Sequence, residues 1–156
     1  MSENTQETAQ TQETAQETPV VSTSVLNLAV ESVITLINAM TNFATMTRGA
    51  LGIYEGLCCE IAPSTAQEVY YDKNSYIVLT LAINGKNSDL RTLSDTLNNI
   101  IDTLTRAKSY PTGDNWEIVD ITSGNLPRII GREDNNLWIM SGDLVVKIYR
   151  KDDVTA

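Results

Sequence analysis

The sequence predicts an α+β fold in which an antiparallel sheet of about four strands carries two main helices packed on it. Two segments have the apolar periodicity of amphipathic helices, and each precedes a pair of segments with strand composition. The predicted order is therefore helix, two strands, helix, two strands. A length of 156 residues fits one ordinary domain, which we place at residues 22–156.

The first 21 residues predict a disordered polar extension. The hexapeptide Thr-Gln-Glu-Thr-Ala-Gln occurs twice in succession, at residues 5–10 and 11–16. No large apolar side chain follows Met1 until Val20, so burial does not offset the entropy lost on ordering this segment. Two roles remain open: a tether that wraps a neighbouring subunit, and a solvated tail.

Residues 24–44 predict the first helix, with its N-cap within residues 22–24. Polar side chains such as Asn27 and Glu31 interrupt this segment too often for a membrane span. Apolar side chains recur at alternating spacings of four and three, as expected for one helix face. This stripe consists of Leu26, Val30, Val33, Ile37, Met40 and Ala44.

Two strands are predicted next, a short one at residues 57–62 and a longer one at residues 76–84. Three glycines between residues 45 and 56 predict turns. In the longer strand every second residue is Ile or Leu, which predicts one fully apolar face. Asn84-Gly85 then predicts a turn.

The second helix is predicted from residue 88 to about residue 108. Ser88 is the expected N-cap, and Asp89 and Arg106 have the charges that suit the two ends of the helix dipole. One side of the segment is apolar, which indicates packing on the sheet. That side consists of Leu90, Leu93, Leu97, Ile100, Ile101 and Leu104.

The last two predicted strands are residues 116–121 and 137–149, with a bulge or bend expected at Gly142. Residues 122–136 between them predict a long connection, of a length at which loops tend to be functional or disordered. The connection contains Leu126, Ile129 and Ile130. Since these aliphatic side chains are unfavourable in water, we expect the connection to dock on another surface.

The composition restricts the chemistry that the chain can perform. Histidine is absent, which removes the commonest general base and the commonest metal ligand. The adjacent Cys58 and Cys59 point to opposite faces of an extended chain, so we expect reduced, partly buried thiols that do not share a metal ion. No catalytic, cofactor or metal site is predicted. The 20 acidic and 11 basic residues, a net charge of −9, argue against a nucleic-acid clamp.

The last third of the chain resembles a known family. Five segments follow one another behind a strand, loop and helix that begin at Tyr71. In order, they are Tyr110-Pro111, Trp116-Glu117-Ile118, the run from Pro127 to Glu133, Trp138, and Lys147-Ile148-Tyr149. This order and spacing resemble the tail-terminator, or tail-completion, proteins of long-tailed bacteriophages, which are often called minor capsid proteins. The resemblance covers about half of the chain, residues 69–151.

The resemblance implies a structural virion protein and not an enzyme. It implies a homohexameric ring that caps the head-proximal end of the tail tube and joins the tail to the head connector. The implied partners are other copies of the chain, the tail tube protein, and a head–tail connector or stopper protein, with no membrane. DNA passes through the lumen without specific binding, and a net negative charge suits such a passage. The implied location is the virion tail, with assembly in the host cytoplasm.

The connection at residues 122–136 is the expected contact between copies, because it combines apolar and charged side chains. Arginine–carboxylate pairs and buried aliphatic groups are common in specific interfaces. A solvated loop surface is the alternative. The candidate interface residues are Leu126, Arg128, Ile129, Ile130, Arg132 and Glu133.

Two other functions are considered. One is a monomeric head-completion or adaptor protein of the head–tail connector, which differs from the tail-terminator hypothesis only in that it forms no ring. A carboxylate-dependent hydrolase would use Asp72 with Glu68 or Asp120, but nothing near these residues in sequence raises a pKa or places a nucleophile.

Overall fold

In the computed structural model, residues 24–64 and 67–151 are described, and over these residues the chain forms two helices and a seven-stranded sheet. The predicted extension at residues 1–21 lies outside the described residues. The elements are α1 (Val25–Asn38), β1 (Met46–Arg48), β2 (Gly56–Ala62), β3 (Glu68–Val69), β4 (Ser75–Asn87), α2 (Leu90–Thr105), β5 (Trp116–Ser123), β6 (Arg128–Arg132) and β7 (Trp138–Arg150).

The centre of the sheet is an antiparallel pair formed by β4 and β7, each 13 residues long. They pair along their whole length, from Ser75 opposite Arg150 to Asn87 opposite Trp138. On its other side β4 pairs with β2 and β3, and β7 pairs likewise with β5 and β6. Each flank of the central pair therefore consists of two short strands placed end to end.

The two faces of the sheet differ in burial. Along β4, Ile77, Leu79 and Leu81 are buried, whereas the alternate residues Tyr76 and Val78 are only half-buried. We call these the helix-side face and the open face. The buried residues of both helices belong to the same hydrophobic cluster as the helix-side face. The predicted α+β class is confirmed.

The prediction of about four strands is an undercount. The predicted strands correspond to β2, β4, β5 and β7, and the helix-strand-helix-strand order holds. The prediction missed β1, β3 and β6, each of which has five residues or fewer. The sheet is also not purely antiparallel, because β1 pairs with β2 in the parallel direction.

Helix α1 is shorter than predicted. Ser24 is its N-cap, and its hydroxyl accepts a hydrogen bond from the backbone N–H of Asn27. The helix ends at Asn38, whose side-chain amide both donates to and accepts from the backbone of Met46. This amide therefore satisfies the backbone at the start of β1. In the described part of the chain, no helix is long and apolar enough to cross a membrane.

The N-cap of helix α2 lies one residue later than predicted, at Asp89 and not at Ser88, and the helix begins at Leu90. The Asp89 carboxylate accepts hydrogen bonds from the Arg91 backbone N–H and the Thr92 hydroxyl. These bonds lower the pKa of Asp89 below its ordinary value, the Thr92 bond having the larger effect. Ser88 instead donates both its N–H and its hydroxyl to Glu55.

The predicted turn at Asn84-Gly85 is wrong, because β4 continues through both residues to Asn87. Gly85 lies on the helix-side face beneath α2. A Cβ atom on Gly85 would stand 2.5 Å from Cδ1 of Leu93 and 3.1 Å from Cδ2 of Leu57. The glycine is therefore explained by close packing of the helix on the strand, not by a turn.

Of the bulge or bend expected at Gly142, the bulge is wrong, because the register between β4 and β7 runs through this residue without a shift. The bulges lie in the flanking strands, at Val119 in β5 and at Ile130 in β6. A Cβ atom on Gly142 would stand 3.1 Å from Cδ1 of Ile101 and 3.2 Å from Pro127. A side chain here would press tightly against Pro127, in the turn between β5 and β6.

We expect Leu97→Ala to lower the free energy of unfolding by about 2 to 5 kcal/mol, because truncation of a fully buried leucine leaves a cavity. Urea unfolding followed by circular dichroism measures the loss. Asn99→Ala, an exposed position of the same helix, is the control and should change stability by less than about 0.5 kcal/mol. A Leu97→Ala loss as small as that of the control would contradict the packing of α2 on the sheet.

Candidate functional site

The predicted connection at residues 122–136 is partly a strand, since β6 pairs with residues 138–141 of β7. The turn between β5 and β6 is bonded to Asp143 of β7. The Gly124 N–H donates to the Asp143 carbonyl at 2.8 Å, and the Asp143 N–H donates to the Asn125 carbonyl at 2.9 Å. The Asn125 side chain also donates to the Asp143 carboxylate at 2.6 Å. This anchored turn fixes where β6 begins.

Strand β6 and the turn before it carry an exposed apolar surface. The exposed fractions are 70% for Leu126, 51% for Ile129 and 55% for Ile130. Ile130 is the bulge residue, so it has no partner residue on β7. We call Leu126, Arg128, Ile129, Ile130 and Arg132 the β6 surface. It combines three aliphatic and two guanidinium side chains along one free strand edge, a composition that interfaces favour.

The two arginines of the β6 surface have different surroundings. The Arg132 guanidinium lies 4.8 Å from the centre of the Trp138 ring, a cation–π contact that orients it. Arg128 is exposed on the open face and forms no ion pair within residues 24–64 and 67–151. Arg128 is therefore free to pair with a carboxylate of another molecule.

Glu133, the sixth predicted interface residue, binds within its own chain. Its carboxylate accepts from Nζ of Lys86 at 2.6 Å, and the Lys86 side chain is only 4% exposed. Nζ of Lys86 also donates to the Gly52 carbonyl at 2.7 Å. One buried ammonium thus joins β4, the turn after β6, and the segment before β2. This contact fixes the end of β6, and the turn that is hydrogen-bonded to Asp143 fixes its start.

The segment at residues 49–55 was predicted only as turns, but it forms an ordered surface. The Glu55 carboxylate accepts two hydrogen bonds from Ser88, and these bonds, the side-chain bond first, lower the pKa of Glu55. Ile53 and Tyr54 are largely exposed at its tip. Two adjacent large apolar residues between glycines are the sequence signal that could have identified this surface.

A groove of about 380 Å³ lies beside the β6 surface, between α2 and the turn that follows β5. Leu126 and Ile101 provide its apolar part, and its other side chains are polar. Such a groove can receive one side chain of a partner. It is lined by Asn98, Asn99, Ile101, Asp102, Thr105, Ser123 and Leu126.

Of the carboxylates named for a hydrolase, Asp72 lies in the turn between β3 and β4. Strands β3, β4, β7 and β5 are consecutive in the sheet, so Glu68 of β3 and Asp120 of β5 lie on opposite flanks of the central pair. The Asp72 carboxylate accepts hydrogen bonds from the backbone and side chain of Asn74.

Both cysteines are free and fully buried, more deeply than predicted. Their positions in β2 alternate, so Cys59 lies on the helix-side face and Cys58 on the open face. Burial raises the pKa of both thiols, that of Cys59 to about 11. Within the described ranges, no three Cys, Asp or Glu side chains are grouped so that they could hold a metal ion.

No family model matches this chain, and no curated protein matches its sequence.

We expect Glu133→Gln to lower the free energy of unfolding by about 1 to 3 kcal/mol, because it leaves the buried Lys86 ammonium without a counter-charge. Lys86→Met combined with Glu133→Gln should recover part of this loss, since the charge is then removed. Thermal unfolding of the three proteins makes the comparison. A double variant less stable than Glu133→Gln alone would show that the ammonium is stabilised without Glu133.

We expect both thiols of the folded chain to resist alkylation by maleimide at pH 8. With a pKa of about 11, roughly one Cys59 molecule in a thousand carries the reactive thiolate at this pH, and the group is also shielded. Mass spectrometry counts the modified cysteines, and the denatured chain, in which both should react, is the control. Rapid labelling of the folded protein would show that β2 opens.

Proposed function

We propose that this chain is a subunit of a homo-oligomeric ring that closes the head-proximal end of a long phage tail and joins it to the head connector. The proposal rests on the resemblance of residues 69–151 to tail-terminator proteins. The observation that carries it is the β6 surface, which lies within the resembling stretch. Six copies per ring is the number that the resemblance implies.

The β6 surface suits a contact between rigid copies. Its strand is fixed at one end by the hydrogen bonds at Asp143 and at the other by the Lys86–Glu133 ion pair. A surface held in this way loses little conformational entropy when it binds. Its exposed aliphatic side chains gain burial, and Arg128 gains a counter-charge, only when another molecule covers them.

The remaining partners follow from the position of such a ring. One side of the ring meets the tail tube protein, and the other meets the connector or stopper protein. DNA passes through the lumen, and an acidic protein of net charge −9 repels this polyanion. No specific DNA contact is part of the proposal.

The alternative, a monomeric head-completion or adaptor protein, uses the same surface for a different partner. Light scattering of the purified protein over a range of concentrations, with negative-stain images, distinguishes the two. Rings in solution or at the head-proximal end of tails support the proposal. A monomer at all concentrations that also occupies tails as single copies supports the adaptor.

We expect Arg128→Glu to leave folding unchanged and to reduce the yield of joined, infectious particles at least tenfold. Charge reversal at an exposed position changes stability by only about 0.5 kcal/mol, whereas like charges at a subunit contact cost several kcal/mol at each interface of the ring. Thermal unfolding measures the first quantity, and complementation of a virus that lacks the gene measures the second.

The matched control is Arg91→Glu, which reverses an exposed arginine at the start of α2, away from β6. It should preserve particle yield. If Arg128→Glu also preserves it, Arg128 does not lie in the contact.

A further inference from the structure

Strand β3 lies at the corner of the central pair diagonally opposite β6. It pairs with Ser75 and Tyr76 of β4, which in turn lie opposite Arg150 and Tyr149 at the end of β7. Strand β6 pairs with residues 138–141, at the start of β7 and on the other flank. The two strands therefore form separate surfaces that face away from each other.

The two strands have matching chemistry. Arg128 of β6 and Glu68 of β3 both lie on the open face, and Ile129 and Val69 both lie on the helix-side face. All four side chains are exposed. In the described part of the chain neither Arg128 nor Glu68 forms an ion pair. Glu68 and Val69 of β3 therefore match Arg128 and Ile129 of β6, with opposite charges on the open face.

We infer that β3 of one copy joins β6 of the next copy edge to edge, with Glu68 opposite Arg128. This inference rests on the proposed ring. Three antiparallel pairings separate β3 from β6 within one copy, so a neighbour in the same orientation presents its β3 antiparallel to β6. With Glu68 opposite Arg128, Ile129 and Val69 become diagonal neighbours about 7 to 8 Å apart on the helix-side face.

The lengths of the two strands agree with this pairing. Strand β3 has two residues, and β6 has two residues before the bulge at Ile130 interrupts its edge. The ladder between copies is therefore short, and side chains beside it add to the contact. Leu126 precedes β6, and the exposed Tyr70 and Tyr71 follow β3. Aromatic residues of this kind are enriched at interfaces.

A contact between two different surfaces is heterologous, and a rotation that closes it produces a ring. The opposite arrangement, in which the β6 edges of two copies meet, would place the Arg128 side chains of both copies near each other. Like charges opposite each other destabilise strand pairing. The charge pattern therefore favours the head-to-tail arrangement.

Cross-linking tests the inference directly. The double variant Val69→Cys with Ile129→Cys, treated with a short bismaleimide, should give a ladder of covalent oligomers that ends at the ring size. Each single variant should give at least tenfold less cross-linked product, because each contact then holds one new thiol. Wild-type protein measures the background from the buried Cys58 and Cys59. Dimers from Ile129→Cys alone would overturn the inference.

The control pair is Ile129→Cys with Asp95→Cys, since Asp95 is exposed on α2 and outside both strands. It should give no ladder. A charge exchange supplies a second measurement. Arg128→Glu and Glu68→Arg should each reduce oligomer yield at least tenfold, and the two together should restore it. Failure of the combined variant to recover would overturn the Glu68–Arg128 pairing.

The outcomes separate this inference from the proposed function. Rings seen by electron microscopy without the 69–129 cross-link would overturn the inference and leave the proposed function intact. Absence of the protein from tails, together with no oligomer in solution, would overturn both.

Discussion

The full-length pairing of β4 with β7 is the constraint on which the rest of the structure depends. These two strands are 13 residues long, and every other strand except β1 pairs directly with one of them. Their alternating side chains separate a face that both helices cover from a face of half-buried residues. Because the pair is longer than any flanking strand, each flank needs two strands in succession. The short strands β3 and β6 are the result, and they place exposed side chains at opposite corners of the central pair.

The long periodic elements could be predicted from the sequence, and the short ones could not. The alternation of Ile77, Leu79 and Leu81 and the apolar stripe of α2 are local patterns set by burial on one side. Strands β1, β3 and β6 have five residues or fewer, and their pairing is determined by the neighbouring strand and not by their own composition. Gly85 and Gly142 were misread for the same reason. Each glycine packs closely against a residue that is distant from it in sequence, Leu93 for the first and Ile101 for the second in α2, and local sequence rules do not include such contacts.

The candidate site was located in part by sequence. The aliphatic residues of the 122–136 connection were candidates because they occur together with charged residues. They are exposed in the structure, but the strand that contains Ile129 and Ile130 was missed. The role of Glu133 could not be predicted, because its partner Lys86 is 47 residues away, in β4. The exposed residues of the 49–55 segment were missed because the glycines there indicated only turns.

The bulges in β5 and β6 have a consequence for solubility. A free strand edge is a template on which further chains can stack without limit, as in amyloid fibrils, and such growth requires an unbroken row of backbone donors and acceptors. On the β7 flank, Val119 and Ile130 each break that row within a few residues. A short partner strand can therefore cover the exposed aliphatic side chains of this flank. A continuous fibril ladder is disfavoured along this edge, because its row of backbone donors and acceptors is interrupted.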